Sequence, residues 1–528
     1  MSPHHCGWLM HNATPPCSRL SRLLPVERWA LAVVLGMTVL RLVVAGSTLL
    51  SADEAYYWQW THPLHLSYYD HPAMVAYWIW ASIHLIGETA LGVRLPAVLS
   101  ALAVSALLWD CARIAFRSRV VGAQTALWLN CSILFGSAGI IITPDAPLLL
   151  AWSLALWSLE RLIAGGQARY IYIAGIALGL GAISKYTMVL ILPGIVATFL
   201  LFPRLRPWWR SGHTWAAALL ALVCTTPLLL WNFQNNFASF SKQLNHAFAS
   251  EAIHPGTNLA QFLSSQVGLL TPLIFLFCLW GMVWALWAGW RQRRPEWMLL
   301  GATSLPILLF FVSHTQSGVV QAHWSGPAYI AGVMAAVGGW HSLPSRGRWL
   351  GRAFAAAPVL GLAMTLLLYF QAVTVALPIP VKMDALKRLG GWDELSAAVH
   401  QEQLAHPGTF LFTQKHEQTG VVTFYLPDHQ VVFLNGGYIR PPYYTAADVA
   451  ALRGRDGIFI TRAKDDGAAN LVKYFAKVTP LRQVRLHWGH QPSDAYNLYL
   501  AEGYRGGNFV QGDGQPGAFD EPKAEAKP

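Results

Sequence analysis

Acidic residues that could exchange protons with a substrate follow the first long apolar segment of this chain, residues 29–50. Asp53 and Glu54 come directly after that segment, and Asp70 and His71 lie further along the same stretch, "SADEAYYWQWTHPLHLSYYDHPAMVAYW". A carboxylate at a membrane boundary costs free energy unless it is paired or hydrated, so an acid in such a position indicates a function. If the apolar segments span a membrane, these residues predict acid–base chemistry at its surface.

Glu54 also has a purely structural interpretation. Ser51 and Glu54 have the spacing of a capping box, in which both side chains satisfy backbone N–H groups at the start of a helix. The neighbouring aromatic residues could form no more than an aromatic belt at the membrane surface. We interpret Asp53 as catalytic and leave Glu54 open between helix capping and substrate binding. The aromatic residues concerned are Tyr56, Tyr57, Trp58 and Trp60.

Further polar residues begin or interrupt later apolar runs. Asp145 opens a run in "TPDAP", Lys185 separates two runs, Arg94 opens a run in "GVRLP", and His323 and Trp324 begin another. The structural alternatives are a helix-dipole carboxylate for the aspartate, snorkelling for the two cations and interfacial anchoring for the tryptophan. The functional interpretation is a set of cations that bind phosphate, with the histidine contacting an anion or a metal.

Familiar nucleotide and metal motifs are missing from the sequence. There is no glycine-rich phosphate loop, no HExxH motif and no paired cysteine cluster. Chemistry driven by a bound nucleotide is therefore not supported, and a membrane enzyme of this kind would use an activated substrate carried by a lipid. We predict no required cofactor, and we assign no metal ligands, although a divalent metal ion is compatible with the sequence.

Composition indicates a polytopic membrane protein. Of the 528 residues, 54% are hydrophobic and only 12% are charged, and the mean hydropathy is +0.37, whereas a soluble protein has about 25% charged residues. Apolar runs of about 20 residues can each span a bilayer. The sequence predicts about eleven crossings, at residues 29–50, 95–116, 120–142, 146–163, 170–183, 187–202, 214–231, 267–290, 297–312, 324–340 and 353–377.

The distribution of basic residues predicts the orientation. If the N-terminus is cytoplasmic, seventeen basic residues fall in inside loops, and only Arg94, Lys185 and Lys242 fall outside. The net charge of +11 therefore indicates cytoplasmic loops and not nucleic-acid binding. This assignment of inside and outside loops requires that residues 72–87 do not cross the membrane. We therefore predict a re-entrant or interfacial helix there, on the outer side.

The predicted domains follow from these spans. Residues 1–28 form a cytoplasmic N-terminal segment, 29–377 a transmembrane catalytic domain, 378–510 a small extracytoplasmic α/β domain, and 511–528 a disordered tail. In the α/β domain "VVTFYLP", "QVVFLN" and "DGIFITR" predict strands, and "DELSAAVHQEQL" predicts a helix.

The order of these motifs resembles the C-type polytopic glycosyltransferases. The relevant order is Asp-Glu after the first span, then "YYDHPAMVAYW", "RLPAVL" and "TPDAP". The resemblance covers roughly the first 200 residues. It is greatest to bacterial protein O-mannosyltransferases and to the aminoarabinose transferase that modifies lipid A, that is, to glycosyltransferase families 39 and 83.

That resemblance implies residue roles. Asp53 is the expected catalytic base, and Asp145 and Asp70 are the other acids of the site. Asp70-His71-Pro72 stands where the aminoarabinose enzyme has Glu-Lys-Pro, so His71 replaces a phosphate-contacting lysine, and Lys185 is the other expected phosphate contact. We assign the remaining polar and aromatic neighbours to substrate binding: Glu54, Tyr57, Tyr69, Arg94, Tyr186, His323 and Trp324.

The resemblance also implies the reaction. A sugar on a polyprenyl phosphate would pass, with inversion, to a hydroxyl or phosphate of a lipid, glycan or protein acceptor on the periplasmic side of the bacterial inner membrane. Two other functions stay open: a transporter or flippase for a lipid-linked glycan, and a binding module carried by the C-terminal domain on a membrane anchor. The residues name neither the sugar nor the acceptor.

Overall fold

A computed structural model describes residues 23–248, 255–435 and 442–507, together with residue 509. Most of the predicted N-terminal segment and all of the predicted disordered tail lie outside these residues, as do residues 249–254 of the long loop after the seventh predicted span.

The membrane domain is entirely helical over its described residues. Its helices are α1 (Pro25–Ser47), α2 (Ala52–Gln59), α3 (Met74–Ile86), α4 (Ala90–Ala115), α5 (Arg119–Asn130), α6 (Ile133–Ala138), α7 (Asp145–Gly165), α8 (Arg169–Ala182), α9 (Leu192–Leu201), α10 (Gly212–Gln234), α11 (Ala238–Phe248), α12 (Pro255–Leu270), α13 (Pro272–Arg291), α14 (Pro295–Ala302), α15 (Leu305–His314), α16 (Gly326–Ser342) and α17 (Arg348–Thr374).

Among the described residues, seven helical segments are long and apolar enough to cross a membrane. They are α1, α4, α7, α10, α13, the α14–α15 pair and α17. The other four predicted crossings correspond to short or interrupted helices, namely α5–α6, α8, α9 with its preceding 3-10 turn, and α16. The helical membrane architecture is thereby confirmed, and the count of eleven spans stays a prediction.

Helix α16 forms the centre of the largest apolar core. Every residue from Gly326 to Trp340 is buried, and the helix packs on α13 and α7. Small residues allow that approach, because a Cβ on Gly281 would lie 2.4 Å from the backbone nitrogen of Ala336. The core thus includes α7, α8 and α16, near whose ends Asp145, Lys185 and His323 lie.

The segment predicted as a re-entrant or interfacial helix folds as α3. Its 13 residues make a helix of about 20 Å, which is shorter than the hydrocarbon core of about 30 Å. It packs with α2 in a separate apolar cluster that includes Trp58, Trp60 and Tyr68. This length is consistent with a helix that does not cross the membrane.

The C-terminal region is a small α/β domain, as predicted. A five-stranded sheet has the order β2-β1-β3-β5-β4, with β1 parallel to β2 and β3, and the β4–β5 hairpin antiparallel. The predicted helix and two of the predicted strands are present, as α18, β2 and β3. The elements are α18 (Trp392–Ala405), β1 (Phe410–Thr413), α19 (His416–Tyr425), β2 (Val432–Leu434), α20 (Ala446–Ala450), β3 (Gly457–Arg462), β4 (Lys477–Trp488) and β5 (Gln491–Glu502).

The strand predicted at "VVTFYLP" is wrong, because this stretch belongs to helix α19. Its β-branched and aromatic residues favour a strand by local preference. In the fold, Val421 and Phe424 pack into the cluster around α2, and Val422 packs beneath the sheet. Burial on these two sides outweighs the local preference, since tertiary contacts routinely override intrinsic propensity.

Candidate active site

The first loop is held in place by a fully buried ion pair. Arg94 on α4 donates two hydrogen bonds of 2.7 Å to the two carboxylate oxygens of Glu54 on α2. The same guanidinium donates to the backbone carbonyls of Ala45, Thr48 and Leu49 at the end of α1. Arg94 therefore fastens the end of α1, the start of α2 and the body of α4 together.

Glu54 is also a helix cap, as the structural alternative proposed. Its carboxylate accepts a hydrogen bond of 2.9 Å from the backbone N–H of Ser51 and one of 3.1 Å from that of Ile142. The side chains of Glu54 and Arg94 are both 0% exposed. In this structure the two residues position the loop, and neither side chain reaches a surface that a substrate could contact.

A second ion pair joins the first residue of α7 to a lysine that follows α8. The Nζ of Lys185 lies 2.8 and 2.9 Å from the two carboxylate oxygens of Asp145, the first residue of α7. The Nε2 of His323 lies 3.6 Å from the same carboxylate, and the ring of Trp324 lies 6.0 Å from the Lys185 ammonium. Residues from three distant parts of the sequence thus form one cluster, here called the Asp145 cluster: Asp145, Lys185, His323 and Trp324.

Asp70 belongs to a third pair, whose cation the sequence analysis did not select. Its carboxylate accepts a hydrogen bond from the Tyr56 hydroxyl and forms a salt bridge with Lys242 on α11. Lys242 also lies 4.7 Å from the centre of the Tyr69 ring. The signal in the sequence was that Lys242 is one of only three basic residues in the predicted outer loops.

Asp53 differs from the other two aspartates. Its side chain is exposed, and no ion pair or hydrogen bond connects it to another residue in the described part of the chain. Crowding by protein atoms raises the pKa of this carboxyl, and the nearby Glu417 and Glu54 raise it further while Arg388 opposes them. Asp53 is thus an available carboxylate that holds a proton more tightly than an ordinary aspartate.

Tyr57 lies near enough to both Asp53 and Asp145 for their charges to affect it. Burial raises the pKa of its phenol well above the usual value, and the charges of both Asp53 and Asp145 add to that effect. The Tyr57 ring lies 6.4 Å from that of His71, and His71 is close enough to Asp145 for their charges to interact. The structure therefore brings Asp53, Tyr57, His71 and Asp145 to one region.

Tyr186 faces the loop helix α11 and not the acids. Its hydroxyl lies 2.7 Å from the Ser239 hydroxyl, and its ring packs edge-on against Phe240. With Lys242 on the same helix, α11 contacts both Tyr186 and Asp70. Tyr186 thereby helps to position the helix that supplies the third cation of the site.

The C-terminal domain contributes residues that the sequence analysis missed. The ring of His416, the first residue of α19, lies 4.9 Å from that of Tyr56. Burial lowers the pKa of His416 to about 4, and the positive charge of Lys242 acts in the same direction. His416 is therefore neutral at neutral pH, beside the Asp70–Lys242 pair. The stretch "TQKHEQTG" contains no motif that would indicate His416 as part of the site.

A metal site is not apparent among the described residues. No group of three or more histidine, cysteine, aspartate or glutamate side chains there converges in a way that could hold a metal ion. The sequence analysis assigned no metal, and metal dependence stays untested.

The sequence of this chain is similar to one known protein family and to two galacturonosyltransferases. Residues 70–231 match the family described as dolichyl-phosphate-mannose-protein mannosyltransferase. The chain is 29% identical over 320 residues to the lipid A galacturonosyltransferase RgtD of Rhizobium johnstonii, which covers 59% of this chain and 65% of that protein. It is also 29% identical over 199 residues to the lipopolysaccharide core galacturonosyltransferase RgtA of the same organism, covering 35% and 38%. The matches thus span less than two thirds of either relative.

Solved structures share the fold over most of the chain. ArnT from Cupriavidus metallidurans in the apo state superposes with a TM-score of 0.61 at 15% identity, covering 89% of this chain and 98% of that one. The same protein bound to undecaprenyl phosphate gives 0.59 at 16% identity, covering 90% and 98%. The oligosaccharyltransferase AglB from Archaeoglobus fulgidus gives 0.51 at 12% identity, covering 82% and 69%. Together these matches confirm the resemblance to the C-type polytopic glycosyltransferases and their fold.

Proposed function

We propose, from the C-type glycosyltransferase fold of this chain, that it transfers a sugar from a polyprenyl-phosphate donor to an acceptor hydroxyl or phosphate. The transfer takes place with inversion at the anomeric carbon. Asp53 removes the proton from the acceptor while the bond to the lipid phosphate breaks. Residues of the Asp145 cluster face the departing phosphate.

The observation that carries this proposal is the difference between Asp53 and the other acids. Asp70 and Asp145 are both held in ion pairs with lysines, so their lone pairs are engaged. Asp53 is exposed and not ion-paired within the described ranges, and its pKa is raised. A base needs a free lone pair, and it works better as its pKa moves toward the working pH. Asp53 has an exposed carboxylate that is unpaired among the described residues, and its pKa is shifted upward.

The cations suit a lipid phosphate leaving group. Charge builds up on the phosphate oxygens as the glycosidic bond breaks and the sugar takes on oxocarbenium character. Lys185 and His323 lie together at the outer ends of two spans, with Trp324 beside them. A phosphate that enters here competes with Asp145 for the Lys185 ammonium, which gives Lys185 its proposed role in neutralising the leaving group.

The role of Lys185 can be separated from its buried ion pair. Lys185→Gln should lower kcat by about 10²–10³-fold, because it removes a donor to the developing phosphate charge. The single variant also leaves the buried Asp145 carboxylate without its lysine partner. The double variant Asp145→Asn/Lys185→Gln removes both charges and should fold well but stay inactive. Recovery of transfer in the double variant, measured with reconstituted protein, would assign the loss to the stranded carboxylate and contradict phosphate binding by Lys185.

The relatives support a more specific acceptor and donor. RgtD acts as a lipid A galacturonosyltransferase and RgtA as a lipopolysaccharide core galacturonosyltransferase. We extend both to this chain as part of the proposal: the acceptor is a glycolipid of the lipopolysaccharide class, and the sugar is a uronic acid.

The predicted orientation puts this chemistry on the extracytoplasmic face of the inner membrane. Asp53, Asp70, Asp145 and Lys185 all lie at helix ends that the basic-residue distribution assigns to the outer side. The C-terminal domain follows the last span and lies on that same face, where it packs against α2 through α19.

Mass spectrometry of envelope lipids tests the proposal. We expect cells that express this chain to contain a lipopolysaccharide species heavier by one sugar residue than cells that lack the gene. Complementation with Asp53→Asn should leave that species absent. Movement of a lipid-linked sugar across reconstituted vesicles, with no new glycosidic bond, would contradict the enzyme proposal and favour a flippase.

A further inference from the structure

The C-terminal domain forms one wall of the candidate site through helix α19. This helix packs closely on α2, since a Cβ on Gly420 would lie 2.8 Å from the Tyr56 backbone nitrogen and 2.9 Å from the Ala55 carbonyl carbon. Only a glycine permits this approach without displacing the backbone of α2. The backbone N–H of Leu50 also donates to the Tyr425 hydroxyl at 2.7 Å, which fixes the start of α2 to the far end of α19.

The contacts between the two helices bring Glu417 into the neighbourhood of Asp53. Gly420 meets the backbone of Tyr56, and the ring of His416 lies 4.9 Å from the Tyr56 ring. Glu417 therefore lies between two residues that contact Tyr56. Asp53 precedes Tyr56 on α2 by three residues, which is about one helical turn. The electrostatic influence of Glu417 on Asp53 agrees with that placement.

Glu417 has no counter-charge of its own in the part of the chain that the structure describes. It is exposed, and no ion pair there involves it. A second negative charge near the Asp53 carboxyl disfavours the ionised form of that carboxyl and so raises its pKa. We infer that Glu417 is a positioning residue for the proposed reaction, whose negative charge makes Asp53 a stronger base than an isolated aspartate. This inference rests on the proposed function of Asp53.

Other charged groups affect the pKa of Asp53 less strongly than Glu417 does. Glu54 lies on α2 itself and is neutralised by Arg94. Arg388, in the 3-10 turn before α18, opposes Glu417. Beyond Tyr57, Asp145 is paired with Lys185. Glu417 is therefore the acid whose removal changes the surroundings of Asp53 most directly.

The pH dependence of kcat/KM tests this role, because its acidic limb reports the essential base of the free enzyme. With Glu417→Gln we expect the acidic limb to move to lower pH, since Asp53 then ionises more easily. Glu417→Asp should keep most of the wild-type profile. The control Glu502→Gln removes a partly exposed carboxylate at the end of β5, paired with Lys477, and should leave the limb in place. An unchanged limb, or one that moves to higher pH, in Glu417→Gln would overturn the inference.

A second measurement does not depend on transferase activity. A water-soluble carbodiimide modifies protonated carboxyl groups, and peptide mass spectrometry can follow its reaction with Asp53 as a function of pH. Half-maximal labelling of Asp53 should occur at lower pH in Glu417→Gln than in the wild type. If no sugar is transferred but labelling shifts as expected, the proposed function fails and the Asp53–Glu417 interaction stands. If transfer occurs and labelling does not shift, Glu417 has no influence on the base.

Discussion

Asp53→Asn should abolish sugar transfer without unfolding the protein. A general base contributes about 10²–10⁴-fold to a rate, so we expect kcat to fall by that factor while the KM for the lipid donor changes little. Asparagine keeps the shape of the side chain and loses only the ability to accept the acceptor's proton. The measurement is transfer by the purified protein in liposomes, with donor and acceptor supplied separately.

We expect Asp53→Asn to be at least as stable as the wild type at neutral pH. The pKa of Asp53 is raised in the folded protein, so the folded chain binds that proton more tightly than the unfolded chain does. The ionised carboxylate therefore weakens the fold once the pH rises above its unfolded pKa. Asp53→Asn should unfold at the same temperature as the wild type, or higher, at neutral pH.

A matched control accompanies Asp53→Asn. Asp428 is exposed and has a positive φ of 58°, a conformation that asparagine tolerates well. Asp428→Asn should leave both transfer and the unfolding temperature unchanged. Near-normal transfer by Asp53→Asn would contradict the role of this residue as the base, whatever the result for the control.

Arg94→Met should destabilise the whole membrane domain. The substitution leaves Glu54 buried without its cation and removes the donors to three carbonyls at the end of α1. Loss of one partner of a buried ion pair costs about 3–5 kcal/mol. We expect the thermal unfolding temperature in detergent, followed by tryptophan fluorescence, to fall clearly, and transfer to fall with it because α2 carries Asp53.

This experiment separates the two interpretations of Arg94. Lys477→Met serves as the control, since it breaks an ion pair whose lysine side chain is 68% exposed, and such pairs contribute little. If Arg94→Met lowers the unfolding temperature and the control does not, Arg94 positions the first loop. If Arg94→Met unfolds like the wild type but loses transfer, the residue binds substrate, as the sequence analysis predicted.

The fold was predictable where the apolar pattern is long and unbroken. Seven of the eleven predicted crossings appear as long apolar helices or a close helix pair, because a run of about 20 apolar residues has few other stable environments. The prediction failed at "VVTFYLP" and overlooked the β4–β5 hairpin. Short segments of the C-terminal domain take their structure from what they pack against, and α19 is helical because it lies between α2 and the sheet.

The site was predictable as a set of residues but not as a set of pairs. Asp53, Asp70 and Asp145 could be selected because acids at the ends of apolar runs are conspicuous. Lys242 stayed unselected because its partner, Asp70, is far away in the sequence. His416 and Glu417 stayed unselected because they belong to a separate domain and carry no motif of their own.

The sequence by itself determined that this chain has the apolar helices of a multi-pass membrane protein and which acids lie next to its apolar runs, and it predicted the side on which they lie. Hydropathy and charge are properties of single segments, so they can be determined without knowing the contacts between segments. Only the tertiary structure decided which of those acids is available. Glu54, Asp70 and Asp145 are each engaged by a cation from a distant part of the chain, whereas Asp53 is exposed and has no ion pair among the described residues. Pairing depends on distances between residues far apart in the chain, and folding alone sets those distances.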